Sequence, residues 1–238
     1  MIERHLARIK ARHSLSKEEE QAILALIPPA RPVSRNSVIV REGELLEAST
    51  LLLDGLLCRY KDLPDGKRQI TQLHVAGDFA DLHGFTLKRL EHNIMALTDC
   101  MLSRVPHESI RELIEAHPRL GRIYWFSTNL DACMNREWEL SLGQRSAAGR
   151  LAALFCELHE RLAIVGLNGE RFTLGMNQSQ LADALGMTSV HANRTLRLLR
   201  DQRLLDYNRG EARILDLDGL KLMAEFDPSY LYLDAEPL

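Results

Sequence analysis

The stretch Asn177-Gln-Ser-Gln-Leu-Ala-Asp-Ala-Leu-Gly-Met-Thr-Ser-Val-His-Ala-Asn-Arg-Thr-Leu-Arg197 decides how this chain folds. Asn177 is suited to cap a helix, and Gln180 stands three residues on, where its amide reaches back in a capping box. Leu181 and Leu185 are four apart and share a face, and Ala182 is small where a second helix must come close. Gly186 supplies a sharp turn, and Thr188 is placed to cap a helix that begins at Ser189. Two short helices around a glycine-containing turn form a helix-turn-helix. The second helix of such a unit lies in the major groove of double-stranded DNA, with its first residues at the base edges.

The chemistry of that second helix fits the task. Ser189, His191, Asn193 and Arg194 carry short or forked hydrogen-bonding groups. An arginine grips guanine O6 and N7 with two bonds, and an asparagine does the same for adenine N6 and N7. Residues 188–209 hold five arginines (Arg194, Arg197, Arg200, Arg203, Arg209) against two aspartates (Asp201, Asp206), so the segment is locally basic. Phosphate neutralisation supplies most non-specific affinity, and a local patch is enough for it. Arg197, one turn beyond Arg194, reads as a phosphate contact. Strand-like stretches at 204–207 and 212–215 flank Arg209-Gly210 and predict a wing with Arg209 at its tip. The competing reading is a tight core pair of helices whose arginines form a solvated face. The spacing of Ala182, Gly186 and Leu196, together with the wing, favours a winged DNA reader.

Gly143 marks a boundary upstream, and residues 145–162 read as a further helix. From Pro118, Ile123, Phe126, Leu130, Cys133, Glu137 and Leu140 step by three and four, a seam of coiled-coil type. Ile123, Phe126, Leu130 and Cys133 are the candidate dimer contacts, and a helix packed on its own domain is the alternative. Residues 107–117 predict a short helix. Before them the texture is different: Val38–Val40, 51–53, 56–60 and 70–75 are short apolar runs, and Gly43, Gly55, Gly66 and Gly77 recur at intervals of 12, 11 and 11. Such spacing predicts an all-β barrel or jelly roll, with Asp65-Gly66 as a hairpin turn. Residues 1–29 read as helix, with Ser16 as a cap and Pro28-Pro29 as the stop.

Composition bounds the rest. The 238 residues carry 30 basic and 33 acidic groups, a net charge of −3, so global charge does not demand a polyanionic partner. Cys58, Cys100, Cys133 and Cys156 are 42, 33 and 23 residues apart, without the C-x-x-C pairs of a zinc ribbon or a clustered iron–sulfur site. No signal-peptide pattern and no membrane-length apolar run is visible, so a cytoplasmic protein with no membrane partner is expected. The motifs of serine hydrolases, P-loop enzymes and zinc proteases are missing, and the chain reads as a non-enzyme.

Taken together, these motifs resemble the CRP/FNR family of bacterial transcription regulators over nearly the whole length. Val38-Ile-Val-Arg-Glu-Gly43, Leu53-Asp-Gly55 and Ala76-Gly-Asp-Phe79 look like its cyclic-nucleotide-binding jelly roll. The helix from Pro118 resembles the family's dimerisation helix, and Gln144-Arg-Ser-Ala-Ala-Gly-Arg-Leu151 its entry to the DNA-binding domain. The resemblance implies an α+β fold: an N-terminal β jelly-roll sensor domain with a leading helix (1–117), a long dimerisation helix (118–142) and a C-terminal winged helix-turn-helix with a tail (143–238). It implies a homodimer on a near-palindromic operator, with RNA polymerase as a further candidate partner. By this resemblance Arg194 stands where the family reads guanine. Val190 stands where the family carries a glutamate, which alters preference at that base pair.

The resemblance also places an effector region, which begins at Asp81 and ends at Asn93. His92-Asn93 occupy the place of the Arg-Ser pair that clamps a cyclic phosphate, and Asp81 that of the ribose-binding glutamate. A neutral imidazole is a poor substitute for a guanidinium, so cyclic AMP is not the expected effector. No cysteine precedes Cys58, against the grouped N-terminal cysteines of the oxygen-sensing members. His74, His83 and His92 leave haem as an alternative. No cofactor is predicted and the effector is unassigned. The second functional reading is a dimeric haem or small-molecule sensor of the same fold whose helix-turn-helix no longer reads DNA.

Overall fold

The computed structural model describes residues 1–233 apart from 168 and 170. Two helices open the chain, α1 (Glu3–Lys10) and α2 (Lys17–Leu26), instead of one continuous helix over 1–29. Ser16 accounts for the break. Its hydroxyl accepts from the Glu19 amide and its own amide donates to the Glu19 carboxylate, a capping box that starts a new helix.

A jelly roll follows: β1 (Arg31–Val33), β2 (Val38–Val40), β3 (Ala48–Asp54), β4 (Leu56–Asp62), β5 (Arg68–Val75), the one-turn α3 (Gly84–Leu87), β6 (Asn93–Ala96) and β7 (Cys100–Pro106). The strands form two antiparallel sheets in the orders β1-β7-β3 and β2-β6-β4-β5. Val40, Leu52, Leu57, Ile94, Ala96 and Leu102 fill the space between them. Burial of each large apolar side chain stabilises the fold by roughly 1.5–3 kcal/mol. Asp65-Gly66 does turn the β4–β5 hairpin, with Gly66 at φ +85°. At Gly55 the need for glycine is steric as well: φ is +96°, and a Cβ would lie 2.6 Å from the Asp99 carbonyl oxygen.

Helix α4 (His107–Ala116) leads to α5 (Pro118–Gln144), which has proline in its first turn and, at 27 residues, is about 40 Å long. Beyond an extended Arg145 come α6 (Ala147–Ala163), β8 (Arg171–Thr173), α7 (Gln178–Leu185), α8 (Ser189–Asp201), β9 (Leu205–Asn208), β10 (Glu211–Ile214) and α9 (Leu217–Ala224). The wing has three strands in the order β8-β10-β9. Its third strand, β8, is three residues long and leaves no periodic signal in the sequence.

One apolar core runs from Tyr60, Ile70 and Leu73 of the roll through Leu151, Phe155 and Leu158 of α6 to Leu181, Leu196 and Leu199 of the helix pair. A buried ionic tie crosses the same boundary. Arg161 of α6 is fully buried, donates to Asp78 and to the Leu73 carbonyl at 2.8 Å each, and to Glu157 at 2.8 Å. Trp138 and Tyr230 both donate to the other Glu157 oxygen at 3.0 Å. Every charge in this set has a partner, as burial requires.

Candidate nucleic-acid interface and effector groove

The helix pair is built by the caps read from the sequence. The Asn177 side chain accepts from the Gln180 amide at 2.9 Å, and the Gln180 side chain accepts from the Asn177 amide at 2.9 Å. Helix α7 ends at Gly186, whose φ of +60° and ψ of 42° turn the chain back, with Met187 N–H on the Ala182 carbonyl at 3.1 Å. The Thr188 hydroxyl accepts from His191 N–H at 3.2 Å and starts α8. Leu181, Ala182, Leu185, Ala192, Leu196 and Leu199 are buried between the helices and against α6.

This packing fixes which face of α8 is free. Thr188, Ser189, Val190, His191, Asn193, Arg194 and Arg197 are all exposed. Val190 leaves 63% of its surface in solvent, a high value for an aliphatic side chain on a helix with an available core. Among the described residues Arg194, Arg197 and Arg209 form no ion pair, while Arg200 is held by Asp206 at 2.7 Å. Arg209 sits at the wing tip at φ +52°, ahead of Gly210 at φ +84°, and is exposed. Tyr207 anchors the wing by donating to the Met176 carbonyl at 2.7 Å. At 13 residues, α8 is about 20 Å long and carries the unpaired Arg194 and Arg197 on its free face, a shape and charge that suit a major groove.

The groove between roll and long helix is centred on Arg59, which sequence reading did not single out. Its guanidinium is buried, donating to the Ala80 carbonyl at 2.9 and 2.7 Å, to Gln72 at 2.6 Å and to Asp131 of α5 at 2.5 Å. Gln72 also donates to Asp131 at 2.5 Å. The long helix is thus clamped to the roll by one carboxylate. Beside the clamp lies a cavity of about 570 Å³ whose walls include Thr71, His83, His92, Asn135 and Trp138. His83 and His92 meet with ring centroids 5.5 Å apart. Burial and the Arg59 charge pull the His83 pKa down to about 3, and burial lowers that of His92.

These residues do not fit a cyclic nucleotide. His92, in the place of the phosphate-clamping arginine, has its Nδ1 on Glu91 at 3.0 Å and carries no permanent charge. Asp81 is fully buried and turned inward, accepting from both the amide and the hydroxyl of Thr50, so it is not available to a ribose. For haem, whose iron needs only one or two axial ligands, His83 and His92 line the groove and His74 is buried close by.

Of the four residues expected at a dimer seam, Ile123 and Leu130 are buried in the chain's own cores. Phe126 packs edge-on to His13 with centroids 4.7 Å apart. Phe126 and Cys133 both remain half-exposed, and the outward face of α5 carries Trp125 and Leu140, 68% and 50% exposed.

Residues 30–117 match the cyclic nucleotide-binding domain family, and residues 149–223 match the Crp-like helix-turn-helix domain family. The chain is 23% identical over 211 residues to the transcriptional activator protein FnrA of Stutzerimonas stutzeri, covering 89% of this chain and 86% of that protein. It is 28% identical over 196 residues to the nitrogen fixation regulation protein FixK of Bradyrhizobium diazoefficiens, covering 80% of each. The structure of FixK2 from Bradyrhizobium japonicum superposes with a TM-score of 0.75 at 23% identity, over 83% of this chain and 96% of that one.

Proposed function

The chain belongs to the CRP/FNR family of DNA-binding transcription regulators, and from that membership we propose how it reads DNA: as a homodimer that inserts one α8 per subunit into successive major grooves. The family is one of transcription regulators, not of enzymes. In this reading residues 1–117 sense, 118–142 pair the subunits and 143–238 bind a near-palindromic operator whose half-sites are about 34 Å apart.

Arg194 is assigned to a guanine in each half-site, where its two forked donors match O6 and N7. Ser189, His191 and Asn193 supply further base or backbone contacts. Val190 offers a methyl surface where a glutamate would accept from cytosine, so it favours an apolar contact such as a thymine methyl. Thr188, Arg197 and Arg209 bind phosphates. The observation that carries the reading is the free, cationic face of α8 on a chain whose net charge is −3. Pairing of subunits is assigned to the Trp125–Leu140 face of α5, since Ile123 and Leu130 already have partners within the chain. A cytoplasmic location and contacts to RNA polymerase follow from the same role, and among the described residues no helix is long and apolar enough to cross a membrane.

Random-site selection at one stated salt concentration tests this. The expected product is an inverted repeat with a guanine in each half. Arg194→Ala should cost about 1–3 kcal/mol per half-site and relax selection at that base pair alone. Uniform weakening with unchanged sequence preference would assign Arg194 to phosphate instead. Failure to select any repeat would favour a sensor that no longer reads DNA.

A further inference from the structure

A second cavity adjoins the Arg59 groove, sharing His83, Thr128 and Asp131 with it, and is bounded by α1, the turn at 74–79 and the middle of α5. It measures about 60 Å³, and its lining includes Arg8, Arg12, His13, His74, Asp78 and Asp131. Several of its polar atoms have no hydrogen-bond partner. Arg8 Nη1, both ring nitrogens of His13 and His74 Nε2 are buried with no hydrogen-bond partner, and these residues are only 8%, 6% and 1% exposed. Orphaned polar atoms are rare in a folded protein, and each costs free energy unless something fills the space. Four around one cavity call for a polar ligand, to which Arg8 Nη1 can only donate and each neutral imidazole can donate from one ring nitrogen.

Charge points the same way. Arg8 and Arg161 share Asp78, Arg161 also holds Glu157, and Arg59 is matched by Asp131. Arg12 is the remaining guanidinium: it donates only to the carbonyls of Arg8 and Leu231, and among the described residues it has no carboxylate partner. Four buried cations therefore face three carboxylates, and those carboxylates are already engaged. Burial and the neighbouring Arg8 pull the Arg12 pKa down to about 9, the mark of a charge lacking compensation. The walls are fitted closely. At Gly77, φ is +94° and a Cβ would lie 2.7 Å from Arg8 Cδ and 2.8 Å from the Arg4 carbonyl oxygen, so α1 rests directly on this turn.

Size selects the class of ligand. One water needs about 10–15 Å³ of such space, so this cavity takes a group of about four or five heavy atoms, far short of a nucleotide. We propose that the cavity between α1, the 74–79 turn and α5 is a binding site for one small oxyanion, held by Arg8, Arg12, His13 and His74. Inorganic phosphate, sulfate and nitrate share the required chemistry. The site is independent of how α8 reads DNA, and it is tested without DNA.

The intact protein is titrated calorimetrically with sodium phosphate, sulfate and nitrate in turn, at fixed pH and ionic strength, with melting followed in parallel. One saturable site per chain is expected for at least one of these anions, together with a rise in melting temperature that levels off. The informative variant is His13→Phe with His74→Leu, because neither imidazole has a hydrogen-bond partner to lose and the arginines stay in place. It should melt no lower than the parent without anion and bind at least about tenfold more weakly, the scale of one lost charge-assisted hydrogen bond. Arg8→Met, which removes a cation, should weaken binding as well. A response that grows linearly with salt, or one equal in parent and double variant, would reduce the effect to general salt stabilisation and overturn the proposal. So would the absence of any saturable binding by all three anions.

Discussion

His5 shows how much one side chain in this fold depends on staying neutral. Its Nδ1 lies 2.8 Å from the Gly77 carbonyl oxygen, and its ring stacks on Tyr124 with centroids 6.0 Å apart. Burial pulls its pKa from 6.5 to about 4. The unfolded chain takes up the proton below pH 6.5, and the folded chain does not until pH is near 4. The stability that His5 contributes is therefore complete above 6.5 and is lost as pH falls through that window, at about 1.4 kcal/mol per unit. At pH 5 the loss is about 2 kcal/mol. Urea denaturation at pH 7 and pH 5 measures it: His5→Phe should lose about that much less stability than the parent between the two values. Equal acid losses would mean that the folded chain protonates His5 freely. Burial also sets Cys58 and Cys156 apart from redox chemistry, since it pushes their thiols up to about 12.

At the scale of elements, α7 and α8 were legible to the residue, because each is closed by its own caps: Asn177 with Gln180, Gly186, and Thr188. The seam on α5 is of another kind. Periodicity shows that a helix has an apolar stripe, not which surface meets it. Helix α5 has two such surfaces: Ile123 and Leu130 face the chain's own cores, and Trp125 and Leu140 face outward. The Arg59–Asp131 clamp escaped notice for a related reason, since the two residues are far apart in sequence and neither lies in a motif. The two faces predict different failures. Trp125→Glu should dissociate the proposed dimer in sedimentation while each subunit melts nearly as before, because the site is 68% exposed. Leu130→Asp puts a charge among Met134, Leu231 and Phe126 and should cost several kcal/mol, lowering the melting temperature by about 10 °C or more. A dimer unaffected by Trp125→Glu would move the interface off this face.

For the whole molecule, the balance of charge decides how DNA binding responds to salt. The chain carries −3, so the protein as a whole is repelled by a polyanion, and attraction must come from the short segment that holds Arg194, Arg197, Arg203 and Arg209. Arg200 contributes less, because Asp206 already neutralises it. Few phosphate contacts per subunit imply a shallow dependence of affinity on salt, and each contact removed should flatten it further by about one unit in the slope of log K against log salt. Arg197→Ala occurs twice in a dimer, so it should lower the slope by about two and weaken operator and non-operator DNA to a similar extent. Arg194→Ala should instead weaken the operator more than non-operator DNA, because the contact assigned to it depends on the base. Binding isotherms on both DNAs across a salt series separate these outcomes. If both variants changed the slope alike, the two arginines would share the phosphate role, and specificity would rest on Ser189, His191 and Asn193 at the head of α8.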